Sequence, residues 1–423
     1  MNQSSGVQVP TRGFSKVEFT NRCARVQAIM KQREIDVLWL STEADIRYLT
    51  GFLTQFWQSP TRPWYLLLPQ SGEPVAVIPA IGAICMQRTW INDIRLWSSP
   101  HPTDDGVSLL IDTIHELAGH KPSIGVPMGA ETYVRSPWND IERIRKLTAG
   151  AQWVDATDAM RCVRQIKSSA EIEKLDYICT VASNAFADVP QIISAGMTQV
   201  DAFRAFRIAC LQHGADDPAY VVGAASANGY EDIISPPSEE SLKTGDILIL
   251  DTGCTFDGYY ADFDRNFALQ QVDKATAEAH QRAWDATEAG IELIKPGVTC
   301  AELFAAMQVV MSPMQIDGQP SSPHDPKGSD MGKLGKAAVP QRAQAARGDV
   351  GRLGHGLGIQ LTETPSITAF DHTPMVPGMV MTLEPGYSYA PGKMMVHEEN
   401  LLVTETGARL LSRRAPRDIP IIK

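Results

Sequence analysis

The sequence predicts two domains: an α/β domain over residues 1–160 and an α+β domain over residues 161–423. Three observations carry that reading. Strand-length apolar runs alternate with helical periods through the first part of the chain, as in a sheet covered by helices. In the second part, long helical patterns separate pairs of β-rich runs joined by turn residues. Both of those pairs also place acids inside apolar sequence, where a purely structural hairpin has no use for them.

In the first domain, residues around 18–33 read as a helix, followed by the strand Val37-Leu38-Trp39-Leu40 and a short helix to Leu49. Strands over 64–68 and 74–78 come next. Val107, Leu110, Ile111, Ile114 and Leu117 then mark one face of an amphipathic helix. Short strands near 94–97, 124–126 and 153–154 complete the domain, which contains no glycine-rich phosphate fingerprint and no cluster of ligand-type side chains. The loop 55–64 gathers Phe56, Trp57, Arg62 and Trp64 around Pro60 and Pro63. Such a stiff, adhesive segment packs on its own domain or reaches a partner's active site.

Ser168 and Glu171 form a capping box for a helix with Ile172, Leu175, Ile178 and Ala182 on one face. A helix from about 199 to 212 and a strand near 220–222 precede the first hairpin. Helices from about 273 to 293 and from Thr299, whose box partner is Glu302, follow it. Residues 312–349, with five prolines among Gly, Ser and Lys, break the pattern and read as a surface insertion in which His324 is solvated.

The first hairpin spans Ile247 to Phe267, with Asp257-Gly258 as its turn chemistry. If those two residues are the central pair, Asp251 faces Asp264; a four-residue loop sets Asp251 opposite Asp262 instead. Either register brings two carboxylates onto one face with Cβ atoms roughly 4.5–5.5 Å apart. The run Ile247–Leu250 is apolar throughout, as in a strand buried on both faces, so the acid pair needs a cation or a shared proton.

The second hairpin, Met381 to Gly386 and Met395 to Val403, turns near Pro391-Gly392 and sets Glu384 against Glu398. Between the hairpins in sequence stands His355, in Gly354-His355-Gly356-Leu357-Gly358. Its glycines free the backbone for close approach, and its imidazole is a good metal ligand. Four carboxylates balance two divalent cations. Oxygen-rich ligation with one nitrogen suits Mn, Co, Fe or Zn ions, and a pair of them ~3.5–4 Å apart activates water and polarises a carbonyl.

Composition narrows the partners. With 38 basic against 49 acidic residues, the net charge of -11 argues against nucleic acid or an anionic membrane. No run approaches the roughly 18 apolar residues of a membrane span. Seven dispersed cysteines without a CxxC pair, and an amino terminus lacking the apolar core of a signal peptide, point to the reducing cytoplasm.

These residues resemble the pita-bread metallopeptidases: methionine aminopeptidase, prolidase, aminopeptidase P and creatinase. Asp251-x-Gly253, Gly258-Tyr259, Asp262-x-x-Arg265, Gly354-His355-Gly356-x-Gly358, Glu384-Pro385-Gly386 and Glu398 follow the family's ligand motifs in order. The eleven-residue step between the aspartates matches too, and favours the register pairing Asp251 with Asp262. Arg164-Gln165-Ile166-Lys167-Ser168 looks like the interdomain entry of prolidase and creatinase. Ile46 to Phe52 looks like part of their amino-terminal domain. The resemblance implies a creatinase-type α/β domain followed by a pita-bread catalytic domain. It also implies that Asp251 and Asp262 hold one ion, that Asp262, His355 and Glu384 hold the other, and that Glu398 bridges them.

Two positions depart from the family's pattern. Its peptidases carry a histidine about seventeen residues before the first aspartate, where this chain has Ile233-Ile234, and another seven residues after the metal histidine, where it has Thr362. Those histidines position the scissile carbonyl and handle protons. Thr362 and Ile234 therefore enter as substrate-binding positions, Glu363 and Tyr259 as candidates for proton transfer, and Glu384 as the catalytic group that orients a metal-bound hydroxide. The expected activity is a dinuclear metal-dependent hydrolase acting on an amide or peptide bond of a small substrate. A lyase acting on a small zwitterion is the second expectation, because the dimethylsulfoniopropionate lyase branch departs at the same places; a non-catalytic binding protein is the third. The expected assembly is a homodimer in which Trp57 and Arg62 of one chain close the other's pocket.

Overall fold

The computed structural model describes residues 8–60, 62–312 and 351–423. Its amino-terminal part runs α1 (Lys16–Gln32), β1 (Val37–Leu40), α2 (Glu43–Thr50), β2 (Tyr65–Pro69), β3 (Val75–Pro79), α3 (Ala83–Gln87), β4 (Asp93–Trp97), α4 (Val107–Ala118), β5 (Ser123–Val126), α5 (Trp138–Leu147), β6 (Gln152–Asp155) and α6 (Thr157–Gln165). The six strands form one mixed sheet in the order β4-β3-β2-β1-β5-β6. Because side chains alternate along a strand, Trp39, Tyr65, Leu67 and Val77 pack with α4 on one face. Leu38, Leu40, Leu66 and Ile78 pack with residues of α1, α2 and α6 on the other. Helices α5 and α6, absent from the sequence expectation, have ten and nine residues, too short to declare a period. The expected boundary at 160/161 falls within α6.

The second part continues with α7 (Ser169–Ile192), α8 (Gln199–His213), β7 (Asp217–Ala227), β8 (Asp246–Phe256), β9 (Tyr259–Tyr260), β10 (Phe263–Leu269), α9 (Lys274–Leu293) and α10 (Cys300–Met311). Both expected capping boxes form, Ser168 with Glu171 and Thr299 with Glu302. The expected insertion 312–349, with His324, lies outside the described residues except for Ser312, the C-cap of α10. Beyond it come β11 (Gly354–Gly356), β12 (Glu363–Ser366), β13 (Val380–Leu383), β14 (Gly386–Ala390), β15 (Lys393–Val396), β16 (Glu399–Val403), β17 (Ala408–Leu410) and β18 (Ile421–Ile422). One sheet has the order β18-β10-β8-β7 with β9 paired to β8, a second runs β12-β11-β13-β16-β17, and β14 and β15 form a separate ribbon.

The register of the first hairpin corrects the expectation that Asp251 pairs with Asp262. Asp264 is the cross-strand partner of Asp251, and Phe256 pairs with Tyr259 across a two-residue turn. Asp257 and Gly258 both take positive φ, 48° and 79°, so the turn geometry sets the register. The second hairpin keeps its expected register, with Leu383 opposite Glu399 and Gly386 opposite Val396. It divides at the acids, however: Glu384 stands at the joint between β13 and β14, and Glu398 just before β16.

Buried ion pairs lock the two parts together. Arg164 of α6 lies 2.9 Å from Asp45 and 2.7 Å from Glu363, and Lys167 lies 3.2 Å from the other oxygen of Glu363. Arg22 reaches Glu18 and Glu171, while Asp257 sits between Arg47 and Lys174. Each buried acid on this seam has a buried base beside it.

Candidate metal centre

Period-two alternation assembles the site. On the face of the β7–β8–β10 sheet that carries Ile247 and Ile249, Val222, Asp251 and Asp264 form one cross-strand row, with Tyr220 opposite Gly253 beside them. In the other sheet, His355, Thr382 and Asn400 form a row across β11, β13 and β16. A side chain at Gly354 or Gly356 would collide with the carbonyls of Thr382 or Thr364, so the glycines flanking His355 let β11 lie between its neighbours. Asp262 ties the sheets together. Its N–H donates to Asn400 Oδ1 at 2.9 Å, and its carbonyl accepts from Thr382 Oγ1 at 3.3 Å and from the Asn400 amide.

Carboxylate oxygens of Asp251, Asp262 and Glu398 lie within 4.8 Å of one another. His355 Nε2 is 3.4 Å from Asp262 Oδ2 and 3.7 Å from Glu384 Oε1. The structure thus gathers all five residues singled out in the sequence. Nδ1 of His355 lies 2.9 Å from the Gly356 carbonyl; donating its proton there leaves the Nε2 lone pair facing the acids. Thr382 Oγ1 donates to Glu398 Oε1 at 2.5 Å. The Glu384 side chain is 27% exposed against 7% for Asp262, so the cluster opens to solvent at Glu384.

Among the described residues, no lysine or arginine forms an ion pair with Asp251, Asp262, Asp264, Glu384 or Glu398. The nearest cation in sequence, Arg265, points to the opposite face of its strand and pairs with Glu399 at 2.9 Å. Burial raises Asp251 to about 7, and burial together with the charge of Asp251 raises Glu384 to about 7. Asp262, Asp264 and Glu398 are pushed well above the usual carboxylate range by burial first and by their neighbours' charge second. Burial lowers the His355 imidazole to about 4, keeping it neutral. Oδ1 of Asp251 and Oδ2 of Asp264 are buried without any hydrogen-bond partner. Uncompensated carboxylates, a neutral imidazole with a free lone pair and orphaned oxygens make a donor set that fits divalent ions.

Four other predicted roles are corrected. Tyr259 is fully buried at the seam, where its hydroxyl donates to Glu171 at 3.0 Å and lies 3.4 Å from Arg22; burial pushes the phenol far up, so it is no proton carrier. Glu363 is clamped by Arg164 and Lys167, whose charges outweigh burial and lower it to about 2, so it stays ionised and accepts no proton. Trp57 is buried against Phe52, Trp64 and Arg135 in its own domain rather than offered to a partner. Ile234 lies on an exposed loop, 74% accessible, so it does not fill a histidine's place in a pocket wall. Thr362 lines a cavity at the seam with Asp45, Arg161, Arg164 and Gln360. Arg62 is half-buried, its guanidinium 5.0 Å from the Phe56 ring.

Sequence reading missed Thr382, Asn400 and Tyr220, and offered Asp264 only as one of two possible cross-strand partners of Asp251. The signal for Thr382 and Asn400 is parity: each stands two residues from a singled-out acid and so shares its direction along an extended chain. Tyr220 is half-buried, and its phenol is pushed up by burial and by Asp251, Asp262, Glu398 and Glu384, so it stands in the field of the cluster. No spacing in the sequence announces it.

Residues 173–405 match the family model described as metallopeptidase family M24, and residues 22–166 match that of the creatinase/prolidase N-terminal domain. A probable dipeptidase, PepE, of Mycobacterium tuberculosis is 26% identical over 406 residues, covering 94% of this chain and 95% of that protein. The Xaa-Pro dipeptidase of Pyrococcus furiosus is 23% identical over 306 residues, covering 71% and 77%. Among solved structures, dipeptidase PepE from Mycobacterium ulcerans superposes with a TM-score of 0.77 at 24% identity, covering 97% of this chain and 99% of that one. The prolidase from Pyrococcus horikoshii OT3 gives 0.74 at 20% identity, covering 94% and 100%. These likenesses show the fold, a creatinase-type domain followed by a pita-bread domain.

Proposed function

This chain belongs to metallopeptidase family M24, and from that premise we propose that it cleaves the peptide bond of a dipeptide, or a similarly small amide, using two divalent ions. The chain is a metal-dependent peptide hydrolase by family. The assignment of ligands rests on one observation, the convergence of Asp251, Asp262, His355, Glu384 and Glu398 with no lysine or arginine ion-paired to them among the described residues. Asp251 and Asp262 would hold one ion, Asp262, His355 and Glu384 the other, and Glu398 both. Bound ions of this kind supply Lewis-acid polarisation of a carbonyl and a water acidic enough to react near neutral pH.

The chain's own groups supply the rest. Glu384, 27% exposed at the open edge of the cluster, is placed to take a proton from the reacting water and pass it to the departing amine. Tyr220 presents a phenol, neutral throughout the working range, as a hydrogen-bond donor to the substrate from the β7 side. Neither family histidine is present, so these two groups carry the proton handling. Hydrolysis yields an amine and an acid, whereas elimination yields an alkene.

The test is metal analysis of the purified protein together with a panel of Xaa-Pro dipeptides, other dipeptides and small amides. Two equivalents of divalent metal, and cleavage to amine and acid that stops with a chelator, are expected. A metal-replete protein that cleaves none of the panel would sink the reading. We also infer a homodimer, with Phe56 (41% exposed) and Arg62 at its edge; a monomer in analytical ultracentrifugation would remove it.

A further inference from the structure

Asp264 has no assigned role, yet it is the most conspicuous unsatisfied acid beside the centre. It is 2% exposed and lies directly across the ladder from Asp251, so both side chains leave the sheet on the same face. Its Oδ2 has no hydrogen-bond partner, and neither has Oδ1 of Asp251. Its Oδ1 meets only the Asn266 amide, at a marginal 3.5 Å. That amide is better engaged with the Val396 carbonyl at 2.7 Å, and Asn266 Oδ1 accepts from Tyr230 at 2.8 Å. Arg265, the adjacent cation, spends its guanidinium on Glu399 and on the carbonyls of Asp264, Glu398 and Arg413. Two buried carboxylates in one cross-strand row, each with an oxygen that no protein group satisfies, call for positive charge beside them.

We propose that Asp264 is a sixth protein ligand of the metal centre, coordinating the ion that Asp251 holds. The inference rests on the dinuclear reading above. It raises the ligand set to five carboxylates and one imidazole, a formal charge of five negative against four positive from two divalent ions. An all-oxygen arm added on the Asp251 side favours hard, oxygen-preferring ions such as Mn²⁺ over Zn²⁺, which takes nitrogen and fewer ligands readily. The Asp251 side, distant from His355 in the ligand order, becomes the harder of the two positions.

The test titrates metal-stripped full-length protein with Mn²⁺ and with Zn²⁺ in a calorimeter, for the wild type and for Asp264→Asn, which keeps the shape and removes the charge. The expected result is a loss of tenfold or more in affinity for one of two Mn²⁺ equivalents, with a smaller loss for Zn²⁺. Unchanged Mn²⁺ affinity and stoichiometry in Asp264→Asn overturns the assignment. Because that variant can fail to fold, a crystal structure of the Mn²⁺-loaded wild type supplies an independent arm. An Asp264 oxygen at about 2.0–2.2 Å from an ion supports the proposal, and one hydrogen-bonded to Asp251 and off the ion overturns it. A wild type that binds no divalent ion at all overturns the dinuclear reading itself, and this inference with it.

Discussion

Two clusters of buried acids, one at the domain seam and one at the crossing of the two sheets of the catalytic domain, are built from the same residue types and behave oppositely. At the seam, Glu363 is gripped by Arg164 and Lys167 and held ionised, lowered to about 2. At the crossing, Glu384 forms no ion pair with a lysine or arginine among the described residues, and burial with the charge of Asp251 outweighs the more distant Arg352 and raises it to about 7. Both glutamates lose hydration; only one regains a protein cation. The seam is complete as folded, whereas the crossing is built to receive charge from outside.

Breaking the contrast at its sharpest point, Glu384→Gln should lower kcat by about 10²–10⁴-fold and weaken binding of one ion, because it removes both a proton carrier and a proposed ligand, while leaving the fold intact. Steady-state kinetics and circular dichroism measure the two arms. The matching change at the seam should do the reverse. Glu363→Gln leaves buried Lys167 without a carboxylate and Arg164 with Asp45 alone, and should cost about 3–5 kcal/mol in denaturant unfolding, with metal content unchanged. Equal effects of the two substitutions on stability would erase the distinction between the clusters.

The pH dependence separates them next. In chelator-stripped protein, Asp251 and Glu384 hold protons up to about 7 that the unfolded chain releases near its ordinary carboxylate values. Stability from this cluster is therefore full below those ordinary values and is lost as pH rises through about 7, by a few kcal/mol at most. Glu363 has the opposite sign: its contribution is present above the ordinary glutamate value and disappears as pH falls through about 2. Thermal melts from pH 4 to 8 should fall with pH in stripped protein and flatten when Mn²⁺ is added; parallel curves in the two states would contradict the account. The smallest expected effect is that of Thr382→Val, which removes the hydroxyl holding Glu398 and should weaken metal affinity about 10–100-fold in calorimetry.

Much of this was legible in residue order. The strand Val37-Leu38-Trp39-Leu40, both capping boxes and the second hairpin's register came from local pattern, because periodicity, caps and turns act over a few residues. Candidate acids could be picked out because a carboxylate inside an apolar strand is costly wherever it is found. Tyr259 and Glu363 were misread for a reason of the same kind. They lie near metal-site residues in sequence, but their side chains turn into the seam, Tyr259 to Glu171 and Arg22 and Glu363 to Arg164 and Lys167. Trp57 was misread because Phe52, Trp57 and Trp64 pack on one another, edge-on and tilted, facing inward instead of outward.

Sequence alone therefore determined the two-part architecture, much of the succession of helices and strands, and the identity of the five side chains that converge where the sheets cross. Tertiary structure alone decided which acids would find a base. Whether a buried carboxylate is a satisfied strut or an open ligand depends on which charges lie within a few ångströms of it, and in this chain those charges come from residues more than a hundred positions away.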